Sequence, residues 1–306
     1  MRVVFMGTPD VAVPSLRALI DSPHDVAAVV TQPDKQRGRG RGVSASPVKQ
    51  LAKEHGIPVL QPASPKEAGF ADALAVFEPQ ALGVVAYGHI LPVAVLEVAP
   101  AMNAHFSLLP HYRGAAPVQR ALMDGATETG VSVFMIEPTV DTGPVVAVER
   151  VEVGSEETAG ELLERLAPIG ARLLVRSIND LERGTLTPVS QSDVEASPAP
   201  KIRPEEAEID WRRPARDLAN LVRALNPQPG AFTTTRGKRL LVWRARPVDT
   251  DGAPGIVLSA GPDLVVGTGS GGLALTEVQI EGRRALRAEE FLRGYRLEAG
   301  RPLAEA

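Results

Sequence analysis

Between Arg2 and Ala86, short β-branched runs alternate with helical stretches, and few architectures accept that order. Arg2–Met6 is an apolar run that ends in Gly7-Thr-Pro. Pro14–Ile20 then reads as helix, Val26–Thr31 as strand, Pro47–Glu54 as helix, Ile57–Leu60 as strand, Pro65–Val76 as helix and Ala81–Ala86 as a buried strand. Strands separated by helices are βαβ units, because parallel neighbours need a crossover long enough to hold a helix. The expected class is α/β with a mainly parallel sheet. Asn103–Leu108 continues that sheet. Val131–Ile136 and Val145–Val153 follow closely enough to form an antiparallel edge, and Glu156–Leu181 reads as one long helix with leucines at 162, 163, 166, 173 and 174.

The pattern then changes. Val189–Pro204 is rich in Pro, Ser and Ala and has little periodicity. Pro214–Leu225 is an amphipathic helix, and short runs at Ala231–Thr235, Arg239–Arg244, Gly255–Ser259, Leu264–Gly267 and Leu273–Ile280 are separated by Gly, Pro and Asp. Many short strands with turn signals indicate a small sandwich or barrel. A chain of 306 residues fits two such domains, here 1–189 and 209–306 with a linker at 190–208.

Composition excludes several chemistries. With no cysteine there is no disulfide, thiolate metal site or cysteine nucleophile. No apolar stretch reaches the roughly 18 residues of a membrane span, and the N-terminus lacks the apolar core and cleavage site of a signal peptide. The expectation is a cytoplasmic monomer with no membrane partner. Net charge is −4, unevenly spread: residues 201–306 hold 17 Lys and Arg against 14 Asp and Glu, and residues 1–200 hold 16 against 23. That polarity alone does not indicate a polyanion partner.

Asn103 and His105 are two apart, so on a strand they point to one face. With Asp141, in Val140-Asp-Thr-Gly143, they supply an amide, an imidazole and a carboxylate. Such a set can stabilise an oxyanion and move a proton. On spacing alone, a strand histidine is more often a hydrogen-bonded structural group than a catalyst, and the Asp could simply cap a turn. No metal is implied, because one His and one Asp do not make a ligand set. Gln32–Gly42 carries Lys35, Arg37, Arg39 and Arg41 among glycines 38, 40 and 42. It lacks the Gly-Lys-Ser/Thr of a phosphate loop, and Gly7-Thr-Pro-Asp lacks a dinucleotide fingerprint. The segment is either a solvated loop or an RNA contact in which arginines fork onto phosphates and stack on bases. Arg236, Lys238, Arg239, Arg244 and Arg246 cluster around one strand pair, with the same two readings.

The string Asn103-Ala-His105-Phe-Ser107-Leu-Leu-Pro110, followed by Asp141-Thr-Gly143, resembles the signature of folate-dependent formyltransferases. Thr31-Gln-Pro-Asp34, Ser46-Pro-Val-Lys49, Val85-Ala-Tyr-Gly88, Arg113-Gly-Ala-Ala-Pro117, Ile209-Asp-Trp211 and Arg223-Ala-Leu-Asn-Pro227 extend the likeness over nearly the whole chain. The resemblance implies a Rossmann-like formyltransferase sheet and a smaller C-terminal OB-like β-barrel. It implies 10-formyltetrahydrofolate as formyl donor and charged initiator tRNA as acceptor. Asn103, His105 and Asp141 would be catalytic. Tyr87, Gly88, Leu91, Pro92, Ser107, Leu108, Leu109 and Pro110 would line the folate pocket. Lys35, Arg37, Arg39, Arg41, Lys238 and Arg239 would meet the tRNA.

Overall fold

The computed structural model describes residues 1–37 and 42–305. They fall into two compact units, one of residues 1–117, 128–152 and 163–200, the other of residues 118–127, 153–162 and 201–306.

The chain begins with β1 (Arg2–Gly7), α1 (Val13–Ile20), β2 (Asp25–Val30), β3 (Lys35–Arg37), β4 (Gly42–Ser44), α2 (Pro47–Glu54), β5 (Val59–Leu60), α3 (Phe70–Ala75), β6 (Ala81–Val85), α4 (Val93–Leu96) and β7 (Ala101–His105). It continues with α5 (Pro117–Met123), β8 (Glu128–Met135), β9 (Val145–Glu152) and α6 (Ala159–Glu182). Seven strands form one sheet in the order β5-β2-β1-β6-β7-β8-β9. The first five run parallel, and β8 is antiparallel to both β7 and β9. The parallel-rich α/β sheet and its antiparallel edge are therefore as the sequence pattern implies.

Burial explains why the central strands read as unbroken apolar runs: all five residues of β6 and five of six in β1 are buried, as expected when both faces are covered. On one face Val4, Met6, Ala28, Val30, Leu82 and Val84 pack with Phe70 and Leu74 of α3 and Val95 of α4. On the other, a Cβ at Gly83 would lie 3.5 Å from both Leu19 of α1 and Leu174 of α6. The expected helix Pro65–Val76 is shorter than its pattern suggested. Gly69 takes a left-handed φ of 79° immediately before α3, so the preceding residues turn instead of extending the helix.

The second unit holds α7 (Ala215–Ala224), β10 (Ala231–Thr235), β11 (Lys238–Val248), β12 (Val257–Ala260), β13 (Leu264–Gly267), β14 (Gly272–Ile280), β15 (Leu286–Arg287) and α8 (Ala288–Gly294). Its sheet is antiparallel, in the order β10-β11-β14-β13-β12, with β15 beside β14. Leu218, Leu221 and Val222 of α7 pack in one core with Leu240, Val242, Leu273 and Leu275. Each such side chain contributes about 1.5–3 kcal/mol on burial. The expected OB-like barrel is not closed here: among the described residues β10 and β12 do not pair. Their outer edges are occupied by irregular backbone. Ile209 N–H donates to Phe232 O of β10, and Val257 N–H of β12 donates to Arg301 O.

Candidate active site

The order of strands reverses between β1 and β6. The chain first builds outward to β2 and β5, then returns to build β6 and β7 on the other side. At such a switch point the connections diverge and leave a crevice at the carboxyl ends of the strands. The residues there are bonded across strands. Gln32, after β2, donates from Nε2 to Tyr87 O at 2.9 Å, and its backbone N–H donates to Thr8 Oγ1 at 3.3 Å. Gly88 follows with φ 83°, and a Cβ there would lie 2.6 Å from Gln32 Nε2. The positive φ favours glycine, and any side chain there would also displace the Gln32 amide from Tyr87 O. Tyr87 is fully buried, and burial followed by the charge of Glu67 pushes its phenol up to about 12. Leu91 is also buried, and Pro92 precedes α4.

One strand over, Asn103 sits in register with Val84 of β6 and Phe134 of β8. Its Oδ1 is buried and makes no hydrogen bond among the described residues. A buried acceptor left unpaired costs about 1–3 kcal/mol, so the oxygen of this amide is not used in holding the fold. His105, two residues on, is 6% exposed. Its Nε2 lies 2.9 Å from Tyr112 O. A carbonyl only accepts, so Nε2 carries the hydrogen, which turns Nδ1 toward Asp141 Oδ2 at 3.7 Å. That separation exceeds a hydrogen bond, but it aligns an imidazole nitrogen with a carboxylate that is 14% exposed.

Asp141 lies in the loop between β8 and β9 with φ 53°. A left-handed conformation at a non-glycine residue costs on the order of 1–3 kcal/mol and persists only where the surroundings impose it. Here they do. Gly114 N–H donates to Asp141 Oδ2 at 2.8 Å. Gln191 Nε2 donates to Asp141 O at 2.9 Å and to Gly143 O at 2.7 Å. A Cβ on Gly143 would lie 1.8 Å from Met135 O, so the turn seats directly on β8. Gly114 itself has φ 134° and would place a Cβ 2.4 Å from Ala199 O.

The structure brings Asn103, His105 and Asp141 to one end of the sheet. Ser107 differs from its neighbours in the same string: its hydroxyl donates to His111 O at 2.6 Å and its carbonyl accepts from Ser132 Oγ at 2.8 Å. It shapes the loop that carries the half-buried Leu108, Leu109 and Pro110. Arg113 belongs to a segment that the sequence already places at the rim of the site, but Gln191, which its side chain bonds, was not legible as a site residue. Gln191 lies in a stretch without periodicity, where nothing distinguishes one polar side chain from the next. Residues 189–200 do not run free. Val189 exchanges backbone hydrogen bonds with Val145, and Arg113 does so with Ser197 and Ala199.

The basic residues separate into three groups. Lys35 and Arg37 belong to β3, which pairs with β4, while Arg39 and Arg41 lie outside the described residues. The root of that hairpin is fixed. Lys49 Nζ donates to Asp34 Oδ2 and to Gln61 Oε1, each at 2.6 Å, and Gln61 Nε2 donates to Asp34 Oδ1 at 2.8 Å. The hydrogen bonds from Lys49 and Gln61 hold the Asp34 carboxyl below its ordinary value. In the second unit Lys238 begins β11, and the Arg239 guanidinium stacks 3.5 Å above the centre of the Phe232 ring. Nearby Arg244 is paired with Glu161 and Glu277, and Arg246 with Asp263.

Comparison with known proteins gives concordant matches. Residues 1–178 match the family described as Formyl transferase, and residues 201–296 match Formyl transferase, C-terminal domain. The chain is 47% identical over 312 residues to a methionyl-tRNA formyltransferase of Pelotomaculum thermopropionicum, covering 100% of this chain and 99% of that one. Two solved structures share the fold. HypX from Aquifex aeolicus in complex with tetrahydrofolic acid has a TM-score of 0.68 at 19% identity, over 95% of this chain and 47% of that one. Methionyl-tRNA formyltransferase from Clostridium thermocellum has a TM-score of 0.59 at 18% identity, over 80% of this chain and 93% of that one.

Proposed function

We infer the function from the premise that the chain belongs to the formyl transferase family. It transfers a formyl group from 10-formyltetrahydrofolate to the α-amino group of methionyl initiator tRNA, giving the formylated tRNA used to initiate translation. The amine nitrogen attacks the formyl carbon, the bond from that carbon to the folate nitrogen breaks, the amine loses a proton and the folate nitrogen gains one.

The reading of the site proceeds from what this transfer demands. A free α-amino group has a pKa of about 7.7–8.0, and esterification lowers it, so much of the nucleophile is already unprotonated near neutrality. The remaining tasks are to stabilise negative charge on the formyl oxygen and to move the amine proton. Asn103 donates its side-chain amide to that oxygen. Its Oδ1 is buried without a hydrogen-bond partner among the described residues, so no protein donor ties the amide down through its oxygen, and this is the observation that carries the reading. His105 assists from the same face, with Nδ1 turned to Asp141. Asp141 orients the amine and takes its proton, directly or through water. The loops carrying Tyr87, Gly88, Leu91, Pro92 and Ser107–Pro110 hold the folate, their apolar side chains enclosing its ring and their backbone reading its edge.

The acceptor needs a larger surface. Lys35 and Arg37 belong to a strand that follows directly on the Asp34 anchored by Lys49 and Gln61, and we assign them, with Arg39 and Arg41 that follow in the sequence, to the acceptor end of the tRNA. Lys238 and Arg239 are assigned to its backbone. The second unit, with its single antiparallel sheet, is read as an OB-like RNA-binding module that stops short of a closed barrel. The reading places the reaction in the cytoplasm, where charged tRNA is made and used, and takes the enzyme to act as a monomer.

Asn103→Ala tests the site directly. Loss of one oxyanion donor typically lowers turnover about 100- to 1,000-fold. The variant should bind folate as the parent does, by fluorescence titration, and lose that factor in kcat. Unchanged kcat would remove Asn103 from the reaction.

A further inference from the structure

We infer that Gln191 is a positioning residue for this reaction: it holds Asp141 against Gly114 and in line with His105. The inference rests on the site reading above and adds to it a residue outside the matched motif.

A glutamine amide offers two donor hydrogens and one acceptor oxygen, and Gln191 has partners for all three. Nε2 donates to the carbonyls of Asp141 and Gly143, on either side of Thr142, at 2.9 and 2.7 Å. Oε1 accepts from Arg113 Nε at 3.0 Å. Arginine has no acceptor, so the orientation of the amide is unambiguous: the nitrogen must face the Asp141 turn.

These bonds join two loops that approach from different parts of the sheet. The first is the Asp141 turn, in a left-handed conformation that a non-glycine residue adopts at a cost. The second is the Arg113-Gly114 turn. Its backbone is bonded on both sides to the segment that carries Gln191, with Arg113 N–H donating to Ser197 O and Ala199 N–H donating to Arg113 O. Gly114 N–H is the donor that grips the Asp141 carboxylate. Gln191 therefore fixes both ends of that contact, the carboxylate through its own backbone and the N–H through the neighbouring guanidinium. Asp193 also pairs with Arg113, but it is 88% exposed and reaches neither the Asp141 turn nor the reacting groups.

The test uses the full chain with 10-formyltetrahydrofolate and charged initiator tRNA. Gln191→Met keeps the length of the side chain and removes every hydrogen bond. Gln191→Glu keeps an acceptor for Arg113 and removes both donors to the turn. Misplacing a catalytic group by about 1 Å can cost on the order of 100-fold, so each variant should lose roughly 10- to 100-fold in kcat, with KM for both substrates changed less than about twofold. Asp193→Asn should match the parent. The separation from a merely structural role comes from a double-mutant cycle: in an Asp141→Asn background, either Gln191 variant should lower kcat by no more than about twofold further. Parental kcat in Gln191→Glu, or an equal loss with and without Asp141, would overturn the inference while leaving the site reading intact. Parental turnover in Asp141→Asn alone would overturn both.

Discussion

At the scale of single residues, the Asp141 carboxylate is held in a left-handed turn by hydrogen bonds from two other loops. Asp141 sits at φ 53° with Gly114 N–H on its carboxylate and Gln191 on its carbonyl. Asp141→Asn keeps the shape and a hydrogen-bond acceptor for Gly114, but it cannot take a proton. General acid–base contributions are typically about 100- to 10,000-fold, so the variant should lose turnover within that range and melt within a few degrees of the parent. Parental turnover in matched assays would exclude Asp141 from proton transfer. The residues of this site differ in how readable they were. Asn103, His105 and Asp141 stand in a motif with a fixed spacing, and the alternation of a strand dictates that the first two share a face. Gln191 stands in no motif. Its importance arises from a contact with a turn 50 positions away, and no local pattern encodes such a contact. Ser107 lies within the motif, yet its hydroxyl is engaged by His111 O in the loop itself.

At the scale of elements, the central strands were legible because burial on both faces leaves only apolar residues to choose from, and α2 was legible because Ser46 caps it with Pro47 at its first turn. Boundaries shifted where a side chain or a glycine intervened. β7 ends at His105, where the loop closed by the Ser107 hydroxyl begins. α6 begins at Ala159, after Thr158, whose N–H and hydroxyl both donate to Glu161. β11 runs through Pro247 to Val248, past the expected end, with register shifts near Arg244 that let the strand bend. One element boundary in the second unit is held electrostatically. Arg120 of α5 makes two hydrogen bonds to Glu206, at 2.8 and 3.1 Å. The Arg120 guanidinium, followed by Arg203 N–H, lowers the Glu206 carboxyl from 4.5 to about 2. A carboxylate whose folded value is depressed stabilises the fold above its unfolded value and loses that contribution as pH falls toward the folded one. Glu206→Gln should therefore melt below the parent by a constant interval above about pH 5.5, and the interval should narrow steadily as pH falls from about 4.5 toward 2. Thermal melts of the two proteins across that range would show it. An interval independent of pH would mean that the ion pair contributes nothing.

At the scale of the whole molecule, the proposed reaction asks for a site for a small donor and for basic surfaces that meet a polyanionic acceptor. Their contributions are separable by salt. Each lost phosphate contact removes roughly 0.7–0.9 from the slope of log affinity against log salt. Lys238→Ala with Arg239→Ala should therefore flatten the slope for charged tRNA by up to about 2 and leave folate affinity unchanged. The shift should fall below the upper bound because Arg239 is stacked on Phe232 and is only partly available to a phosphate. An unchanged slope would assign RNA recognition to the hairpin at Lys35–Arg37 and its continuation. The identity of the acceptor defines the reaction. It is tested most directly by supplying 10-formyltetrahydrofolate together with charged initiator tRNA, free methionine and an amino-sugar nucleotide in one reaction, then determining which amine carries the formyl group. The expected result is formylation of the methionyl ester of the tRNA and of neither small amine. Formylation of the sugar nucleotide or of free methionine, with the tRNA untouched, would contradict the account.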